Sequence, residues 1–370
     1  EFAAQACLPP GELMQRAGAA AAATVAATLP AQGARALVVC GPGNNGGDGY
    51  VCALELARRG VEASCVALAA PATEDARQAR HRWEESGGAT LPELPASGRF
   101  DALVDAMFGI GMARPLAGAF LEAAQRLSDA RAPVFAIDVP SGLDADRGCW
   151  VGGVAGVKAA TTITFIGAKP GLFTAEGCDA AGTVRVEPIG VAPGLQAGAL
   201  LGPEDCGSLL RPRPRNTHKG SYGSVVVVGG NVGMVGAPLL AARAALRLGA
   251  GRVYVDCIGA PDLRLDPFQP ELMFRSLAGL DGLTACVVGC GLGVDDRARA
   301  ALEQVLDGSW PLVVDADALN LLAADPALSQ RCRGRNSPTV LTPHPLEAAR
   351  LLDCDARSVQ GDRVEAARAL

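Results

Sequence analysis

Ala36-Leu-Val-Val-Cys40 runs directly into Gly41-Pro-Gly-Asn-Asn-Gly-Gly-Asp-Gly49, and an apolar-periodic stretch follows as far as Arg59. The short, wholly apolar run reads as a strand buried on both faces. The stretch Asp48–Arg59 reads as a helix, with Gly60 as the residue that ends it. In an open parallel sheet, ligands bind where strands end and helices begin. Glycines at such a turn let backbone N–H groups come close to a phosphate or ribose, and the helix N-terminus adds its dipole. A tight turn with no ligand is the plainer reading, but it asks for fewer glycines and leaves Asn44, Asn45 and Asp48 without a purpose. The spacing is neither GxGxxG nor GxxxxGK[ST], so a standard hydride-transfer site or P-loop is not indicated.

The same alternation continues outward. Strands are expected at Ser64–Leu68, Ala102–Val104, Val134–Ile137 and Thr161–Ile166, with helices near Thr73–Ser86 and Pro115–Leu127. Residues Ile189–Gly220 are rich in Pro, Gly and Arg, including Arg211-Pro-Arg-Pro-Arg215, and read as a connection between domains. Beyond it the alternation resumes. Strands are expected at Ser224–Val228, Arg252–Asp256, Ala285–Val288, Leu312–Asp315 and Val340–Thr342, with helices at Ala237–Leu248, Asp295–Leu306 and Pro345–Leu352. The fold class that follows is α/β, with two doubly wound domains over residues 1–196 and 197–370. The first reads as Rossmann-like.

Composition narrows the function. The net charge is −6 and the aromatic content 4%, which leaves neither an electrostatic grip on nucleic acid nor a stacking platform for single strands. No apolar run reaches the roughly 18 residues needed to span a bilayer, and Ala19–Ala27 reads as a helix, not a signal peptide. The 12 cysteines form no CxxC pair and there are only 3 histidines, so buried reduced thiols in a cytoplasmic protein are expected, not a zinc site.

Two more strand ends in the first half carry polar loops: Asp105-Ala-Met-Phe-Gly-Ile-Gly-Met-Ala-Arg-Pro-Leu116 and Asp138-Val-Pro-Ser-Gly-Leu-Asp144. A lone Asp at such a position is often a helix cap. Three loops on one sheet edge point instead to a shared site. NNGGDG, DAxFGxG and DxPSGLD in this order, preceded by Gly11-Glu-Leu-Met-Gln-Arg-Ala-Gly18, resemble the NAD(P)H-hydrate epimerase family, over about Glu12 to Gly190. The resemblance implies Asn44, Asn45, Gly46, Gly47 and Asp48 as one substrate-binding segment. It implies Gly109, Ile110, Gly111, Met112, Ala113, Arg114 and Pro115 as a second. It also implies a potassium ion on Asn45, Asp105 and Ser141, whose oxygens suit a hard cation.

The reaction can be argued from the substrate. The hydrate carries a hydroxyl next to the ring nitrogen, whose lone pair can expel it once something protonates it. Water then returns to either face. One carboxyl group can serve first as acid and then as base, and Asp138, at a strand end, is the candidate. An Asx-type turn stabiliser is its alternative reading. Lys158 is a second group that could face this site, and Asp144 reads as a turn cap.

In the second half, His218-Lys-Gly-Ser-Tyr-Gly223, Gly233-Met-Val-Gly-Ala-Pro238, Gly289-Cys-Gly-Leu-Gly293, Val314-Asp-Ala-Asp-Ala-Leu-Asn320 and Leu341-Thr-Pro-His-Pro-Leu-Glu347 mark its apolar segments. This series resembles the ADP/ATP-dependent NAD(P)H-hydrate dehydratases, of the ribokinase-like superfamily. The resemblance implies that Ala237, Gly293 (with Gly291 as its alternative) and His344 contact the hydrated nucleotide, with Asp317 and Asn320 shaping the floor. A capping histidine beside Pro345 is the other reading of His344. ADP or ATP with magnesium is the implied phosphoryl donor.

The family's late GxGD segment is not found before Leu370, and Glu1 is not a methionine, so the expectation is a fragment whose second half does not turn over by itself. The rival readings are a ribokinase-like small-molecule kinase fused to a nucleotide-binding domain, and a non-catalytic nucleotide-binding module. The favoured one is an enzyme of nicotinamide nucleotide repair that binds a small molecule, neither nucleic acid nor membrane, and forms a homo-oligomer.

Overall fold

The computed structural model describes Leu8, Pro9 and residues 11–96, 98–192, 194, 198–207 and 212–370. The expected boundary between 196 and 197, and Arg211 at the head of the Arg-Pro run, lie outside these residues. The chain forms two compact units. One comprises Glu1–Ala199 and Gly361–Val364, the other Leu200–Gln360 and Glu365–Leu370.

The first unit runs α1 (Glu12–Ala26), β1 (Arg35–Cys40), α2 (Asn44–Arg58), β2 (Glu62–Ala67), α3 (Glu74–Glu85), β3 (Ala89–Leu91), β4 (Ala102–Ala106), α4 (Ala119–Ser128), β5 (Val134–Ile137), β6 (Thr161–Phe165), α5 (Gly177–Ala180) and β7 (Thr183–Glu187). Its seven strands are parallel in the order β3-β2-β1-β4-β5-β6-β7. The order reverses between β1 and β4, whose ends align at Cys40 and Ala106. A crevice opens at the carboxyl ends of strands at such a switch point. The central strands β4 and β5 are buried at every residue, as apolar runs covered on both faces must be.

Helix α2 begins four residues earlier than expected, at Asn44, so the glycine segment is its first turn and not a loop. Close packing is the cause. A Cβ at Gly46 would lie 1.9 Å from the carbonyl oxygen of Gly41, so only glycine lets this turn sit against the end of β1. Helix α4 begins at Ala119 and not near Pro115, because Gly118 holds a left-handed φ of 54°. Gly60 ends α2 as expected, at φ 84°. Strands β3 and β7 were not anticipated. They are edge strands with largely exposed faces and lack the unbroken apolar run of the centre.

The second unit runs β8 (Ser224–Gly229), α6 (Gly236–Leu248), β9 (Arg252–Cys257), β10 (Met273–Phe274), β11 (Ala285–Val288), α7 (Asp296–Leu306), β12 (Leu312–Val314), α8 (Asp317–Ala324), α9 (Pro326–Arg333), β13 (Thr339–Leu341) and α10 (Pro345–Leu351). Short helices follow at Ala356–Gly361 and Arg363–Ala369, of which Gly361–Val364 group with the first unit. Its parallel sheet has the order β10-β9-β8-β11-β12-β13, again reversing beside its first strand. Both sheets are parallel and carry connecting helices, the doubly wound α/β architecture expected.

Buried thiols were expected. Cys40, Cys52, Cys65, Cys257, Cys286 and Cys332 are buried and unpaired, whereas Cys178, Cys206 and Cys354 are exposed on the surface. Among the described residues no helix is long and apolar enough to cross a membrane.

Candidate active site

A cavity of about 470 Å3 lies at the switch point of the first sheet. One wall is the start of α2, with Asn44, Asn45 and Asp48. A second is the loop after β4, Phe108 to Met112, and Asp138 borders the same space. A third wall comes from α1, through Leu13, Met14 and Ala17, with Phe165 and Ile189 also lining the cavity. Three strand ends read separately in the sequence therefore meet on one space, as does the GELMQRAG helix.

Asp138 is buried, 6% exposed, and adopts a left-handed backbone at φ 69°. A non-glycine residue there is uncommon and marks a position held by its surroundings. Its Oδ2 accepts a hydrogen bond from the Ile110 amide at 3.0 Å. That approach requires Gly109, since a Cβ on it would stand 2.6 Å from the same Oδ2. Its Oδ1 lies 3.0 Å from the Lys169 ammonium and accepts from the Thr164 hydroxyl at 3.5 Å. The carboxylate thus braces the loop after β4 and also borders the cavity.

Asp105 is fully buried at the end of β4. Its Oδ1 accepts from the Ser141 hydroxyl at 2.7 Å and the Met107 amide at 3.2 Å, and its Oδ2 from the Ser141 amide at 2.8 Å. Burial pushes its pKa up to about 6, against the opposing pull of the bonds from Ser141 and Met107. Asn45 is 9% exposed, and neither its Oδ1 nor its Nδ2 has a hydrogen-bond partner. An orphaned buried amide is costly and asks for something to satisfy it.

The other expected residues fall differently. Gly46 and Gly47 are buried in the first turn of α2 behind the lining. Ala113, Arg114 and Pro115 are exposed and do not border the cavity. Lys158 is exposed and likewise outside the lining, while its amide donates to Ser128 Oγ at 3.0 Å. The cation at Asp138 is Lys169, from Ile166-Gly-Ala-Lys-Pro170 just past β6. The signal for it was a lysine on a fourth strand end, which carries no motif. Asp144 caps its turn, its Oδ1 accepting from the amides of Asp146 and Arg147 at 2.9 and 3.0 Å.

In the second unit, the loop ending β11 brings Gly291 beside Ala237, where a Cβ on Gly291 would lie 3.1 Å from that of Ala237. The amide of Gly293 donates to Asp317 Oδ2 at 2.8 Å. Asn320 accepts from Arg350 at 2.5 Å. His344 caps α10: its Nδ1 accepts from the Leu346 amide at 3.1 Å, and its own amide donates to Glu347 at 2.9 Å. Its Nδ1 is occupied as an acceptor, so its exposed ring offers Nε2, which also lies 3.3 Å from Glu347 Oε1.

Two parallel α/β sheets, one with a carboxylate and an orphaned amide on a switch-point cavity, define a doubly wound enzyme of the nucleotide-handling kind. Comparison with known proteins agrees. Residues 10–171 match the family model of the YjeF-related protein N-terminus, and residues 225–370 that of NAD(P)H-hydrate dehydratase. The chain is 36% identical over 377 residues to the bifunctional NAD(P)H-hydrate repair enzyme Nnr of Escherichia coli, covering 97% of this chain and 70% of that one. It is 38% identical over 378 residues to the Coxiella burnetii enzyme of the same name, covering 96% and 74%. Among solved structures it is similar to an ADP/ATP-dependent NAD(P)H-hydrate dehydratase from Bacillus subtilis co-crystallized with ATP and Mg2+, at 29% identity and a TM-score of 0.35, covering 42% of this chain and 56% of that one. This chain belongs to the family of bifunctional NAD(P)H-hydrate repair enzymes.

Proposed function

We propose that the first unit inverts the hydroxyl-bearing carbon of hydrated NADH and NADPH at the cavity bordered by Asp138. The observation that carries this is the Asp138 carboxylate, buried, held from two sides and open to a cavity large enough for a nicotinamide nucleotide's reactive end. Proton transfer to the departing hydroxyl lets the ring nitrogen expel it as water. Water returning to the opposite face gives its proton back to the same group, and the centre is inverted. The start of α2 directs N–H groups and a positive dipole end at a ligand phosphate, with Asn44, Asn45 and Asp48 as its contacts and Gly46 and Gly47 providing the close backbone. Gly109 to Met112 line the other side of the cavity, with Ala113, Arg114 and Pro115 continuing that loop outside the lining.

A potassium ion on Asn45, Asp105 and Ser141 fits this chain. The orphaned Asn45 amide supplies an oxygen with no other use, and the buried Asp105 carboxylate supplies a charge that burial alone disfavours. The ion would neutralise that charge and fix the β4 and β5 loops. Lys169, Ile110 and Thr164 meanwhile orient Asp138.

In the second unit, Ala237, Gly291, Gly293 and His344 bind the same hydrate, over a floor shaped by Asp317 and Asn320. In the full-length enzyme, ADP or ATP with magnesium would activate the hydroxyl of the S form for elimination. The protein is read as a cytoplasmic homo-oligomer whose epimerase feeds its dehydratase. The test of the first unit is the equilibration of one separated epimer of NADH hydrate, followed by chromatography with potassium present. The wild-type chain should exceed the spontaneous rate, and the Asp138→Ala variant should return to it. A wild-type rate no faster than buffer would refute the reading.

A further inference from the structure

Lys169 is the residue of this site that sequence motifs did not mark, and its placement is specific. Its Nζ lies 3.0 Å from Asp138 Oδ1 and donates to the carbonyl oxygen of Phe165 at 2.8 Å. The two side chains are only 13% and 9% exposed, so the pair is largely buried beside the cavity. Backbone strain delivers both partners. Asp138 is at φ 69°, and Ile166, three residues before Lys169, is also at φ 69°. A β-branched residue in that region is an outlier, and such outliers persist where the surroundings over-determine them.

The chemistry assigned to Asp138 has a gap that this lysine fills. Both carboxylate oxygens face donors: the Ile110 amide on Oδ2, the ammonium and the Thr164 hydroxyl on Oδ1. In each of these contacts the carboxylate is the acceptor. Yet the departing hydroxyl needs a proton. Resting on the epimerase reading above, we propose that Lys169 stores the proton that Asp138 delivers, acting through Asp138 as a positioning and proton-supplying residue.

The step balances as follows. The ammonium passes a proton to Asp138, giving a neutral amine and a carboxylic acid. The C–O bond of the hydrate breaks with its electron pair going to oxygen, which takes the acid's proton and leaves as water. The ring then carries the positive charge and Asp138 the negative. Water adds to the opposite face, loses its proton to Asp138, and the amine recovers it. No oxidant, reductant or further reactant is consumed. Arginine would hold the carboxylate equally well but does not give up a proton in proteins, so the pairing with lysine is a matter of chemistry as well as charge.

The test uses the whole chain, potassium and a single epimer of NADH hydrate, and compares wild type with Lys169→Met, Lys169→Arg and Asp138→Ala, each checked by thermal unfolding. Both Lys169 variants should lose about 100-fold in kcat with KM within about twofold of wild type, and Lys169→Arg should be no faster than Lys169→Met. Wild-type kcat in Lys169→Met overturns the proposal. So does recovery in Lys169→Arg to within about tenfold of wild type, because a lysine that only orients Asp138 is replaceable by another cation. A rise in KM at unchanged kcat overturns it as well, since it makes Lys169 a substrate-binding group. An Asp138→Ala variant as fast as wild type would sink the epimerase reading itself, which separates that failure from this one.

Discussion

At the level of single residues, Asp138 and Asp105 divide the work by environment. Asp138 borders the cavity and is held by donors on both oxygens. Asp105 is sealed behind it with no exposed surface. Asp138→Ala should cut epimerisation by roughly 100-fold or more, the usual worth of a positioned acid or base, as measured by initial rates on one epimer. Asp105 has a different signature. Burial raises it from 3.8 to about 6. Over that window the unfolded chain gives up the proton first, so in potassium-free buffer the first unit should lose stability as pH rises from 3.8 to about 6. The Asp105→Asn variant should lack that slope in denaturant titrations across the same range. A slope of equal size in the variant would assign it to other groups.

At the level of elements, glycine propensity and packing oppose each other in α2. Replacing Gly46 by alanine gains about 1 kcal/mol of helix propensity. The new Cβ would stand 1.9 Å from the Gly41 carbonyl oxygen, which is backbone and cannot swing aside. Overpacking of this kind costs about 1–3 kcal/mol or more, so Gly46→Ala should destabilise despite its better propensity, as read by urea unfolding. A neutral or stabilised variant would contradict the account of why the segment is glycine-rich. In the second unit, Arg335 plays the reverse part. Its guanidinium donates to the carbonyls of Leu306, Gly308 and Trp310 at 2.8, 2.7 and 2.6 Å, closing the end of α7. Cations are favoured at a helix C-terminus, and orphaning these carbonyls should cost Arg335→Met about 2–4 kcal/mol, measured by the same titration.

The elements also show what a sequence can reveal. Central strands such as β5 were legible to the residue, because burial on both faces demands an unbroken apolar run. The edge strands β3 and β7 were not, since exposure relaxes that demand. The start of α2 was misplaced because glycine is a weak helix former, and here tertiary packing overrides propensity. Asp138, Asn45 and the Phe108–Met112 loop stood out as polar or glycine-rich strand ends. Lys169 did not. Only the bend at Ile166, which brings the chain back toward Phe165, places it on Asp138, and nothing in Ile166-Gly-Ala-Lys announces that bend.

For the molecule as a whole, two parallel sheets of the same architecture serve two steps on one substrate, a division the bifunctional family shares. Ion dependence should separate them. Potassium chloride should raise the melting temperature of the wild-type chain above that in tetramethylammonium chloride at equal ionic strength, and the Asn45→Ala variant should lose the difference. An equal shift in the variant would remove Asn45 from the cation site. A variant at Gly293 in the second unit should leave the epimerisation rate untouched, since the described residues that line the first unit's cavity belong to that unit.

The most direct test of the central claim is to run the equilibration of one epimer in water labelled with heavy oxygen, and to weigh the hydrate by mass spectrometry as the other epimer appears. Loss and return of the hydroxyl at the Asp138 cavity predicts that labelled oxygen enters the hydrate in step with inversion, that both need the wild-type chain, and that both stop in Asp138→Ala. Rapid, enzyme-dependent inversion with no label in the product would contradict it.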